Sequence, residues 1–166
     1  MNRALVTILA GLIAVSPLAA PPLAHAEPQP DCSFWYRDFG AKPAASNPTA
    51  KTPKITFTPP PSMALGRDYL FQFGTSPADA DGHLKVFFWG QTGPNTWRQT
   101  AESMHATVVD GKVVDANGRR VDAPSLFVHP TLVSADWPYP LYLVASFRDL
   151  ATGKYICKKV RPTFTF

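Results

Sequence analysis

Glutamate is nearly missing from this 166-residue chain: Glu27 and Glu102 are the only two. The scarcity gives no support to the paired carboxylates of a glycoside hydrolase. It also leaves Asp79-Ala80-Asp81-Gly82 and Asp115-Ala116-Asn117-Gly118 without the later bidentate Glu that completes a calcium loop. Both segments are read as turns, where Asp, Asn and Gly supply the positive φ that a tight reversal needs. Cysteine is scarce too, with two residues and no CxxC pair. His25, His83, His105 and His129 show no HxH, HxxxH or Cys-linked spacing, so no metal site is expected. No serine sits in a GxSxG elbow, and no glycine-rich phosphate loop is present. Catalysis therefore has no motif behind it, and neither an enzyme nor a cofactor is expected.

Long hydrophobic runs are also lacking. The stretch from Ala4 to Val15 is too short to span a bilayer. Arg3 precedes it and Ala24-His25-Ala26 follows, the pattern of a secretory signal peptide over residues 1–26. The expected mature protein begins at Glu27 and is exported, periplasmic or extracellular, with no transmembrane anchor. A cut after Ala24 would instead leave His25 as an N-terminal copper chelator, the arrangement of copper-dependent polysaccharide monooxygenases. Pro22, three residues before that cut, makes it the poorer peptidase site. The chain carries 16 basic and 12 acidic residues, +4 overall. Arg3 alone precedes Glu27, so the remainder carries +3. The excess is mild, concentrated at Lys154, Lys158, Lys159 and Arg161, and no nucleic-acid partner is expected.

In an oxidising compartment the two cysteines, Cys32 and Cys157, read as one structural disulfide. It would tie a Pro-rich N-terminal arm, residues 27–62, to a domain spanning residues 63–166. The arm holds an aromatic patch, Phe34-Trp35-Tyr36 with Phe39.

Fifteen of the 18 prolines follow Glu27, a density that breaks helices and favours strand ends and loops. Period-two alternation is plain over 69–73, 84–89 and 141–147, each apolar on both faces as in buried central strands. Asp110-Gly111 between two Val-Val pairs predicts a hairpin, and Gly153 marks a loop feeding a last strand over 155–160. Shorter strands are expected over 55–58 and 126–128, about eight in all. Trp97, Ala101 and Met104 recur at helical spacing after Asn95, which predicts one short helix or turn there. Phe164 and Phe166 alternate as in the last strand of an outer-membrane barrel, but Pro162 interrupts that strand. The expected fold is all-β: an immunoglobulin-like two-sheet β-sandwich with one disulfide. It lacks the Cys–Trp–Cys spacing of antibody domains.

Aromatics supply the remaining hint. Trp137-Pro138-Tyr139-Pro140 is a rigid segment whose rings suit a loop surface, and Trp97 is the other candidate. Flat rings stack on sugars and anchor protein interfaces alike. Trp137, Tyr139 and Trp97 are thus the candidate binding residues of an exported, non-catalytic interaction module of a bacterial envelope or secretome. Its partner is an extracytoplasmic protein or a polysaccharide. The alternatives are a carbohydrate-binding module using these rings, or a copper- or calcium-dependent secreted enzyme.

Overall fold

Two long apolar stretches that alternate strictly form the middle of the fold, as their two-faced burial requires. The computed structural model describes residues 27–33, 47, 49–130 and 139–165. The predicted signal peptide, the 34–39 aromatic patch, Trp137 and Phe166 lie outside the described residues. Within them the chain forms eleven strands and no helix: β1 (Lys54–Thr58), β2 (Ser62–Ala64), β3 (Arg67–Leu70), β4 (Gln72–Ser76), β5 (Gly82–Gly93), β6 (Thr96–Val109), β7 (Lys112–Val114), β8 (Ser125–Val128), β9 (Leu141–Asp149), β10 (Tyr155–Val160) and β11 (Thr163–Thr165). No helix among the described residues is long and apolar enough to cross a membrane.

Five strands make an antiparallel sheet in the order β10-β9-β5-β6-β7. Three strand pairs, β1-β4, β3-β8 and the parallel β11-β2, contribute the opposing residues in a sandwich-like arrangement. The core lies between these layers. Leu84, Val86 and Phe88 of β5, Leu143, Ala145 and Phe147 of β9, and Val108 of β6 meet Phe57, Met63, Phe71, Phe73, Leu126 and Val128. Phe73 packs on Phe147, and Phe88 on Phe164 of β11. Burying each such side chain is worth roughly 1.5–3 kcal/mol. Phe164 near the C-terminus thus packs against the core. The strand β1 falls within the Pro-rich region 27–62, yet its Phe57 is 1% exposed in the core.

Several turns follow the local chemistry. Asp110 (φ 47°) and Gly111 (φ 70°) link β6 to β7 in a two-residue hairpin. A side chain at Gly111 would also run into Thr75 and the Ala78 carbonyl. Asp115 accepts hydrogen bonds from the Asn117 and Arg119 N–H groups, so the second Asp-Gly-rich segment is a capped turn.

Two expectations are corrected. The segment starting at Asn95 is neither helix nor isolated turn; Pro94 and Asn95 turn the β5–β6 hairpin, and β6 runs on to Val109. Register shifts break its two-residue alternation. Met104 opposes Val86 and Glu102 opposes Phe87, leaving Ser103 as an extra residue; Thr100 is extra in the same way. Each insertion adds one residue to the period of two. Met104 packs towards the core while Trp97 lies on the opposite face of the sheet. The run 69–73 is not one central strand either. It breaks at Phe71, whose N–H donates to the Pro124 carbonyl, and the chain changes partner from β8 to β1. Leu70, which the alternation places in a two-faced strand, is 62% exposed.

Candidate functional site

Alternation in β5 and β9 sends every second residue away from the core, onto the outer face of the five-stranded sheet. That face carries His83, Lys85, Phe87 and Trp89 from β5, and Tyr142, Val144, Ser146 and Arg148 from β9. From β10 it carries Tyr155, Cys157 and Lys159. His83, Lys85, Phe87, Val144 and Ser146 are buried although none belongs to the core cluster.

A strap formed by residues 27–33 crosses this face. The Cys32–Cys157 disulfide is present, with Cα atoms 6.1 Å apart. Ser146 Oγ donates to the Cys32 carbonyl beneath it. At the other end of the strap, the Glu27 carboxylate accepts from Tyr142 Oη at 2.8 Å and from Lys159 Nζ at 2.7 Å. Between them Asp31 accepts from both the N–H and the hydroxyl of Ser33. These hydrogen bonds hold its carboxyl below the usual range, with the Lys85 charge adding to the effect.

Beyond the strap the face is aromatic. Cross-strand register places Trp89 opposite Tyr142 and Gln91 opposite Trp97. Trp97 is the middle ring of the group. It stacks on Trp89 with centroids 6.3 Å apart and planes 21° from parallel. It also meets Tyr142 at 6.1 Å and 32°. Such near-parallel offset contacts suit the ring quadrupoles. All three side chains are half-buried. Trp89 Nε1 is itself buried and makes no hydrogen bond.

Two cations close one end of the group. Lys159 Nζ sits 4.5 Å from the Tyr142 centroid and the Arg161 guanidinium 5.9 Å from it. Lys159 is also paired with Glu27. Burial pushes the Tyr142 hydroxyl above its ordinary pKa, and the hydrogen bond and charge of Glu27 push the same way, while Arg161 opposes them. The phenol therefore stays protonated and keeps donating to Glu27.

Of the residues the sequence singled out, Trp97 is at the centre of the cluster and Cys32 is bonded to Cys157. Tyr139 is half-buried in the bend leading into β9, next to Pro140, whose carbonyl accepts from the Gln91 N–H at 3.2 Å. The ring contacts of Trp97 run to Trp89 and Tyr142 instead. Trp137 lies outside the described residues. Sequence reasoning missed Trp89, Tyr142, Lys159, Arg161 and Glu27. The available signal was parity: Trp89 follows core Phe88, and Tyr142 lies between core Leu141 and Leu143, so both must face away from the core.

The polar clusters elsewhere give no reactive geometry. Among the described residues, no three His, Cys, Asp or Glu side chains converge as a metal site needs. Asp79, Asp81 and Asp149 border one cleft, but Asp149 caps the Thr152 N–H and hydroxyl, and Asp81 accepts from the Asp110 N–H. Asp110 in turn is ion-paired with Arg120. His83 lies under the outer face, where burial and then the Arg148 charge hold its imidazole below the ordinary pKa. No protein-family model matches the chain, and no curated protein matches it either.

Proposed function

We propose that this protein is an exported, non-catalytic binding module of a bacterial envelope or secretome, and that its ligand docks on the Trp89–Trp97–Tyr142 cluster. One observation carries the reading: three rings on three different strands are brought into near-parallel contact on a face that the core does not need. Packing alone explains Phe88 or Phe147, which are fully enclosed; it does not explain half-buried aromatic rings grouped beside the exposed Arg161. Rigid aromatic surfaces of this kind serve as anchors for sugars and for protein partners.

The rest of the molecule supports a scaffold role. The disulfide suits an oxidising compartment, as export past a signal peptide at 1–26 would provide. We read the layered strands as an immunoglobulin-like sandwich, with the strap 27–33 as part of a Pro-rich arm over residues 27–62. Such sandwiches host many unrelated functions, so the site and not the fold argues the function. Trp137 and Tyr139 remain candidate binding residues.

The test is affinity capture with an internal control. Immobilised oxidised protein and its Trp97→Ala variant are exposed in parallel to envelope extract and culture supernatant. A polysaccharide or protein retained by the parent and lost by the folded variant is the expected result. Equal retention by both would remove the cluster as the docking surface.

A further inference from the structure

Resting on that reading, we infer that the ligand of the aromatic cluster is an acidic glycan whose uronate carboxylates are held by Arg161. Several polar groups around the rings are already engaged. Gln91 Nε2 donates to the Pro94 carbonyl at 2.7 Å, and Gln99 Oε1 accepts from Lys85 Nζ at 3.1 Å. Lys159 is committed to Glu27 at 2.7 Å, and the Tyr142 hydroxyl donates to the same carboxylate. The two neutral amides near the rings are thus each engaged in a hydrogen bond within the protein.

Arg161 differs from all of these. Its side chain is exposed just past the end of β10 and lies against the face of Tyr142. Among the described residues its guanidinium has no hydrogen-bond or ion-pair partner, so its planar fork of donors stands open beside the rings. That fork matches a carboxylate in two-point geometry. Lys159, two residues earlier on the same face of β10, adds a second positive charge at the Tyr142 ring, although it is paired with Glu27. A ligand that presents a flat apolar ring face to the cluster and a carboxylate to Arg161 satisfies both features. A hexuronic acid unit does so within one residue. A single-stranded nucleic acid also brings flat faces and anionic groups, and is one arm of the test below.

The test is titration calorimetry of the oxidised protein with oligogalacturonate, its methyl-esterified counterpart and an oligothymidylate. The ester keeps the sugar ring and removes the charge. Oligogalacturonate is expected to bind at least tenfold more tightly than the ester, about 1.4 kcal/mol, and to weaken as salt is raised. Arg161→Gln, at an exposed position, should lose most of that preference while keeping the fold. Trp97→Ala, checked for folding by circular dichroism, should abolish binding of both glycans. Equal affinity for ester and acid, with Trp97 still required, would overturn the acidic class and leave the cluster standing as a sugar site. Glycan binding indifferent to Trp97→Ala would overturn the inference and the docking surface together. Binding of the oligothymidylate alone, or of none of the three, would overturn the acidic glycan.

Discussion

Replacing Cys32 and Cys157 together by serine should destabilise the protein by up to about 5 kcal/mol. The figure comes from chain entropy: the bond joins residues 125 apart in sequence, and closing a loop of that length in the unfolded chain costs about 5 kcal/mol of entropy at 25 °C. Strain and residual structure in the unfolded chain lower this value. For a domain of this size each kcal/mol corresponds to roughly 3–5 °C, so the thermal midpoint should fall by about 10–20 °C. The loss should have a second signature, because the bond also pins the strap over Ser146. Without it, amides of β9 beneath the strap should exchange with solvent faster than those of β5 facing the core. Urea denaturation with and without reductant, together with hydrogen exchange, measures both. A midpoint lowered by less than about 2 °C, with unchanged exchange in β9, would refute the view that the strap is structurally coupled to the sheet.

Gly82 opens β5, and a side chain there would collide with the Phe147 ring and the Arg148 carbonyl. Gly82→Ala should therefore cost about 1–3 kcal/mol, read as a lowered urea midpoint. His83 is held neutral by burial and by Arg148. The unfolded chain takes up this proton near pH 6.5 while the folded one resists, so stability should fall as pH drops below about 6.5. Thermal midpoints between pH 8 and pH 5 should show that slope, and His83→Gln should flatten it. Lys159→Met breaks a half-buried pair with Glu27 and should lower stability by no more than about 1 kcal/mol, because the Tyr142 hydroxyl still holds the carboxylate.

The parts of the fold legible in sequence are those fixed by local chemistry. Strict alternation over 84–89 and 141–147 marked the two central strands, and Asp110-Gly111 marked a hairpin because that turn needs positive φ at both residues. The disulfide followed from an even cysteine pair without a metal or redox motif. What escaped were features set by pairing. The register shifts at Thr100 and Ser103 broke the alternation that would have marked β6 as one long strand. Phe71 hid a change of strand partner inside one alternating run. The aromatic cluster was half legible for the same reason. Trp97 was singled out, but its neighbours Trp89 and Tyr142 reach it only through the β5–β6 and β5–β9 registers, which nothing local in their sequence reveals.

The most direct test of the binding surface is the Trp97 indole N–H resonance of the isotopically labelled, oxidised protein, assigned by its disappearance in Trp97→Ala. It would be followed during titration with acidic and neutral oligosaccharides and with any protein retained in capture. The account predicts a saturable shift at Trp97, accompanied by Trp89, with the ligand that binds. A bound ligand that leaves Trp97 unmoved, or saturating additions that bind nowhere on the protein, would contradict it.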